Sequence, residues 1–387
     1  MAFLAKSLSG ATAQVVRPQA RWFATATLTI AAVLGMPPVS HAAALEVYGR
    51  LPTIEDVALS PDGSRLAFVR TKGDKRTIVI VSLPEGRGVN SIQMGDHKLR
   101  SIMWADSEHL LITTSQSGTF YGPADSAWLG KSEWFRLTVF DLSKNAFRTL
   151  PSPKNNQDLN IFGVLCGSVM VRRHAGHTML FLPAIYSQGH SFGRILFRVD
   201  LETGEQTIAR EGLRWTEGWL VDDEGQIVAE TNYSEYDQRW ALSIRRGKEL
   251  SEAIAAHDPI DVPRVLGFGA DEGALLTSSI VDGDTVLRLL SLKDGTLGPP
   301  VAESGHLLED PVEDFQTNHL IGGRWRADDS QLVFFNDAMQ QRWAALTNAF
   351  AGERVHLASY SADFNEIVVR VEGPKVRASP ERTLTAF

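Results

Sequence analysis

Gly189-His190-Ser191-Phe192-Gly193 is the segment whose residue types could do covalent chemistry. It fits G-x-S-x-G, in which a serine stands on a tight strand-to-helix turn with its hydroxyl presented to a carbonyl. The residues after Ser191 do not suit that role. Phe192 and Arg194 are bulky where a helix would have to pack, and Arg194-Ile195-Leu196-Phe197-Arg198-Val199-Asp200-Leu201 alternates in period two, which predicts a strand. Asp282 and His306 are available as triad partners, yet both fall in turns or loops, and nothing in their spacing brings them to Ser191. The expectation is a glycine-containing loop and a chain with no catalytic residue.

His174 and His177, with His190 nearby, have a spacing found in metal sites, but no Cys or carboxylate stands beside them at ligand spacing. They read as a polar loop. Asp282-Gly283-Asp284 lacks the alternating oxygen ligands of a calcium loop and reads as the two-residue turn of a hairpin. Cys166, the single cysteine, sits in an apolar run and reads as a buried, inert thiol. No metal-binding or cofactor-binding residue is therefore assigned, and no cofactor is expected.

The elements that carry these residues are set by a phrase that recurs along the chain: an apolar residue, Asp three positions on, and Leu or Ile four positions after the Asp. Its six copies are Leu59/Asp62/Leu66, Met103/Asp106/Leu110, Leu220/Asp223/Ile227, Phe268/Asp271/Leu275, Trp325/Asp328/Leu332 and Tyr360/Asp363/Ile367, and a seventh at Phe162/Leu165/Val169 has lost the Asp. Asp in such a turn bonds its own backbone, and the short apolar runs beyond it suit strands buried on both faces. A second phrase, seen at Val81-Ser82-Leu83 to Gly86 and at Leu290-Ser291-Leu292 to Gly295, ends a strand in a hairpin that needs positive φ. Units of this kind must stack to bury their faces, so the fold class is all-β: a β-propeller of about seven four-stranded blades, the last incomplete. Trp104, Trp325 and Tyr360 stand just before or at the turn and read as packing between blades. Segments 115–134 and 175–193, rich in Gly, Ser, His and aromatics, are expected as inserted loops.

Residues 1–43 read differently. Arg17 and Arg21 precede the apolar stretch Trp22 to Met36, and Pro37-Pro38-Val39-Ser40-His41-Ala42 supplies a small-residue site, the order of a secretory signal peptide cleaved after Ala42 or Ala44. Cleavage removes Lys6, Arg17 and Arg21 and no acid, so the formal net charge moves from −8 to −11. That surplus of carboxylate disfavours nucleic acid or an anionic membrane as partner. Residues 44–373 are expected to form the propeller, and the location is periplasmic or extracellular.

The opening Tyr48-Gly49-Arg50-Leu51-Pro52-Thr53-Ile54-Glu55-Asp56-Val57-Ala58-Leu59-Ser60-Pro61-Asp62-Gly63, taken with the long irregular repeats, Asn336-Asp337 and the segment 355–373, resembles the N-terminal propeller of exported serine peptidases of the prolyl oligopeptidase family. The resemblance covers about residues 45–373. It implies a propeller that limits access to small peptides and a natural partner in an α/β-hydrolase domain carrying a Ser-Asp-His triad. Segment 374–387 has neither phrase and reads as a divergent, disordered tail, as if a longer gene were interrupted. In related exopeptidases acidic residues receive a peptide amino terminus in the channel; Glu133, Glu217, Glu235 and Glu313 could serve here, although solvated surface charge is the simpler reading. Two functions are in view: the noncatalytic propeller of such a peptidase, or a free-standing exported propeller that binds a peptide, protein or glycan.

Overall fold

The computed structural model describes residues 2–4, 53–119, 131–152, 160–174, 176–188, 191–303, 306–314, 316–326 and 331–373. The segment 1–43 expected as a signal peptide, apart from Ala2–Leu4, and the tail 374–387 lie outside the described residues. Among the described residues no helix is long and apolar enough to cross a membrane.

The fold is a β-propeller of antiparallel sheets, and the first repeat displays its logic. Ile54–Leu59, Arg65–Lys72, Lys75–Ser82 and Gly88–Gln93 pair in chain order. The turn after Leu59 closes because Asp62 Oδ1 accepts the Ser64 N–H at 3.1 Å and the Ser60 hydroxyl at 2.6 Å. Gly63 completes it at φ 72°, where a side chain would be strained. The second strand then enters a dry interior, with Leu66, Ala67 and Val69 at most 1% exposed. The fourth repeat (Thr216–Val221, Ile227–Ser234, Arg239–Arg246, Glu249–His257) and the fifth (Arg264–Phe268, Ala274–Val281, Asp284–Ser291, Leu297–Pro300) repeat this four-stranded order.

Apolar clusters link each repeat to the next. Ala67, Val69 and Ile80 of the first pack with Ile102, Trp104 and Leu110 of the second. Leu276 and Leu287 of the fifth pack with Leu320 of the sixth. Val368 of the seventh joins Val57, Leu59 and Leu66, and the Leu59 N–H donates to Ser359 Oγ at 2.9 Å, so the end of the chain's repeats closes on the beginning. Trp104 and Tyr360 sit in these seams as the sequence suggests: the Trp104 indole N–H donates to Ala58 O at 3.0 Å, and the Tyr360 hydroxyl to Asp314 Oδ2 at 3.2 Å.

Three features depart from uniform four-stranded blades. The second and third repeats are fused into one nine-stranded sheet, because Leu165 pairs with Phe135. Segment 175–193 is largely strand rather than inserted loop, and in segment 115–134 the described residues 115–119 and 131–134 are strand, the rest lying outside the described residues. His109–Thr119 and Lys131–Asp141 pair from His109↔Asp141 to Thr119↔Lys131, and His177–Gln188 pairs with Ser191–Asp200 along its length. The run Met179 to Ile185 is apolar throughout, and both of its edges are covered, on one side by Asn160–Leu165 and Met170–His174. Finally, the sixth repeat leaves Leu332–Phe334 for a helix, Asp337–Ala349. Asn336 caps it by accepting the Ala338 and Met339 N–H groups at 3.0 and 3.2 Å, and buried Trp343 meets Phe334 edge-on at 5.9 Å. The seventh repeat contributes Arg354–Tyr360 and Ile367–Glu372, and Ala2–Leu4 pairs with the latter as a third strand.

Candidate functional site: the cavities at the centre of the ring

The first strands of the first to fifth and of the seventh repeat line cavities that lie between them. One of about 870 Å³ is bounded by Asp56 to Leu59, Arg100 to Trp104, Leu165 and Ser359, from the first, second, third and seventh repeats. Another of about 600 Å³ is bounded by Glu217 to Leu220, Arg264 to Leu266, Glu313 and Asn318. Gly167 and Ser168 border both. A third of about 650 Å³ opens where Arg194, Trp215, Glu217, Glu235 and Tyr236 meet.

The four glutamates singled out in the sequence all reach these cavities, but in different electrostatic states. Glu133 accepts from the Ser115 hydroxyl at 2.8 Å and is ion-paired with Arg100; these contacts hold its carboxyl below the ordinary range. Glu217 is paired with Arg194 at 3.3 Å. For Glu235 and Glu313 no ion pair occurs among the described residues. Glu313 is half-buried, and burial alone raises its pKa. The strand beneath it makes room: a Cβ on Gly267 would stand 2.9 Å from Glu313 Oε2 and 2.4 Å from Asn318 O. Asp56, in the other cavity, is raised chiefly by burial, which outweighs its bonds from the Ile102 and Val57 N–H groups. The cavities therefore hold three acids without an ion pair among the described residues, Glu235, Glu313 and Asp56, and two already paired, Glu133 and Glu217.

The remaining sequence candidates are dispersed. Ser191 starts a strand directly opposite Gln188, and Gly189-His190 lie outside the described residues; strands, not a helix, flank the segment. Asp282-Gly283 form a two-residue hairpin turn, with φ 53° and 85°, between the paired Val281 and Asp284. The His306 Nδ1 group donates to Arg326 O at 3.0 Å. His174 and His177 face each other across a hairpin end, and the carboxylate the sequence did not place beside them comes from afar: Asp200 lies 2.8 Å from His177 Nδ1. Cys166 borders two cavities, half-buried, with its thiol pushed up to about 11 by burial.

One group of residues escaped the sequence reading. Arg172 is 2% exposed, and its guanidinium donates to Val221 O at 2.6 Å, Asp222 O at 3.0 Å, Val171 O at 2.7 Å, Gln316 O at 2.5 Å and Asn318 Oδ1 at 3.1 Å. It thus ties the third repeat to the fourth and to the segment entering the sixth. Beside it lie Asp223, Glu272 and His319, within 4.8 Å of one another.

Among solved structures, the chain is similar to Pyrococcus horikoshii acylaminoacyl peptidase, with 15% identity, a TM-score of 0.42, and coverage of 79% of this chain and 48% of that one. It is also similar to a prolyl endopeptidase, with 14% identity, a TM-score of 0.43, and coverage of 74% and 39%. A third similarity is to the β-propeller domain of Myceliophteria thermophila Cps50 (Swd1), with 14% identity, a TM-score of 0.32, and coverage of 73% and 95%. The chain spans about half the length of the acylaminoacyl peptidase. No known family profile and no curated protein matches the sequence.

Proposed function

We propose that this propeller is the noncatalytic, access-limiting part of an exported prolyl oligopeptidase-type serine peptidase, and that it receives peptides with a free amino terminus at the centre of its ring. The observation that supports this most is Glu313, a half-buried carboxylate without a counter-ion in the cavity that it shares with Glu217. An α-ammonium entering there would gain a charge-assisted hydrogen bond and relieve the desolvated acid. The partner that would cut the peptide is a hydrolase domain, since Ser191 begins a strand rather than a strand-to-helix turn and no nucleophile, base and oxyanion donors converge among the described residues. Export rests on the basic, apolar and small-residue order of 1–43, and determining the amino terminus of the protein released from cells tests it directly.

Fluorescence anisotropy with a short peptide, free or acetylated at its amino terminus, tests the binding. The free peptide should bind at least fivefold more tightly, and Glu313→Gln should remove that preference. Equal binding of both peptides would sink the proposal. The chain alone should release no product from a panel of dipeptide amides, and Ser191→Ala should leave that result unchanged.

A free-standing binding module is the second reading, favoured by Trp215 and Tyr236, 47% and 95% exposed beside the 650 Å³ cavity. Loss of peptide binding in Trp215→Ala and Tyr236→Ala, but not in Glu313→Gln, would select it.

A further inference from the structure

The turns of the fourth and fifth repeats and the residue that precedes strand Leu320–Trp325 of the sixth meet at Asp223, Glu272 and His319. His319 Nε2 is 3.7 Å from Asp223 Oδ2 and 4.0 Å from Glu272 Oε1. Among the described residues, no other three His, Cys, Asp or Glu side chains bring their ligand atoms so close together. We propose that these residues bind one divalent transition-metal ion of the zinc class, through His319 Nε2 and the two carboxylates. Water completes its coordination.

The first support is a change of role. In the first, second, fifth and seventh repeats the phrase Asp accepts backbone N–H groups of its own turn, as Asp62, Asp106, Asp271 and Asp363 do. In the fourth repeat that task passes to Asp222, whose Oδ1 accepts the Gln226 N–H at 2.6 Å. Asp223 is left to face its neighbours. The second support is an unmet bonding capacity: His319 Nε2 and Asp223 Oδ1 are both buried atoms without a hydrogen-bond partner among the described residues. Buried polar atoms in that state are costly, and a metal ion would satisfy both.

The imidazole is also held in place. Its ring stacks on Phe268 at 5.0 Å, Phe268 is fully buried, and the two residues form a backbone bridge. The His319 side chain is 15% exposed and that of Asp223 47%, so the nitrogen ligand sits on the dry wall and an ion can arrive past the carboxylate. Arg172 does not answer the need, because its donors go to carbonyls and to Asn318 Oδ1 rather than to these acids.

The chemistry fits a zinc-class ion. Imidazole nitrogen and carboxylate oxygen at 2.0–2.2 Å around a tetrahedral ion stand about 3.3 Å apart, so the two histidine–carboxylate separations must each contract by roughly 0.4–0.7 Å. Two carboxylates and a neutral imidazole balance a dication, and the nitrogen ligand selects against magnesium and calcium. The ion would staple three repeats through one point, independently of what the central cavities bind.

The test uses the purified whole chain, stripped with a chelator and titrated with Zn²⁺ against a chromogenic competitor. One ion per chain is expected, together with a rise in thermal midpoint as Zn²⁺ is added. His319→Gln and Asp223→Asn should each weaken uptake at least tenfold, while His177→Gln, at a separate histidine–carboxylate contact, should not. Melting of the metal-free variants checks folding; if His319→Gln is unfolded, Asp223→Asn and Glu272→Gln decide. Absence of stoichiometric uptake, as expected if a protonated His319 simply bridges the two acids, overturns the proposal. So does uptake that survives the folded carboxylate variants.

Discussion

The turns of the first and fourth repeats share one phrase and solve it differently. After Leu59, the turn is closed mainly from within: Asp62 takes the Ser60 hydroxyl, the Ser64 N–H and the Ser64 hydroxyl, all within two residues of itself, and neighbouring repeats add one bond from Ser107 and one from the Ala362 N–H to Pro61 O. After Leu220, the turn depends on the rest of the ring. Asp222 closes it, the Asp223 N–H donates to Glu272 Oε1 at 2.7 Å, and Arg172 from the preceding repeat grips the Val221 and Asp222 carbonyls. The difference separates a turn closed mainly by its own residues from one held as well by neighbouring units, which is how a repeat array acquires cooperativity.

The largest consequence falls on Arg172. Arg172→Met would remove a buried cation together with every bond it makes, leaving carbonyls of the third and fourth repeats without donors. A loss of about 3–5 kcal/mol in unfolding free energy is expected. Urea denaturation measures it, and a loss below about 1 kcal/mol would mean that the fourth turn, like the first, is closed mainly from within.

Asp62 comes next. Asp62→Ala deletes the bonds from Ser60 and Ser64 and one from Ser107 of the second repeat, so the expected cost is about 1–2 kcal/mol, similar to the loss of a helix cap. The same residue gives a pH signature. Burial pushes its pKa up, but hydrogen bonds from Ser60, Ser107 and Ser64 prevail and hold it at about 2. A depressed carboxylate stabilises the fold above its unfolded value near 4, and that contribution disappears as pH falls from about 4 through about 2. Because the group is largely exposed, about 1 kcal/mol is expected after allowance for screening. Asp62→Asn should therefore flatten the acid limb of a stability profile measured between pH 5 and pH 2; an unchanged limb would remove Asp62 from the account.

This contrast also explains what could be read in advance. The first turn, its strand Arg65–Lys72 and the hairpin at Gly86 are local, so residue type and spacing disclosed them. The strand His177–Gln188 was present as an apolar run, but histidine and glycine at its ends made it look like a loop. The helix Asp337–Ala349 also carried a local signal that the strand pattern concealed: an Asn N-cap and then Ala, Gln, Leu and Met. Arg172 had no such signal, since its partners Val221 and Asn318 lie 49 and 146 residues away. The cavity acids obey the same rule. Their residue type marked them, but only the ring distinguishes Glu313, which has no counter-ion, from Glu133, which has Arg100.

The smallest effect tests the comparison most directly. Asp223 occupies the position of Asp62 in the phrase, so a rule based on sequence alone assigns it the same cost. Its side chain, however, accepts no bond from its own turn, and its backbone N–H to Glu272 survives truncation. In chelator-containing buffer Asp223→Ala should shift stability by no more than about 0.5 kcal/mol, within the range of an ordinary surface substitution. Paired with Asp62→Ala in the same urea series, this yields a difference between two equivalent positions, from which most errors of extrapolation cancel. A cost equal to that of Asp62 would show that the fourth turn still needs its phrase residue, and that the grip of Arg172 supplements the local closure instead of replacing it.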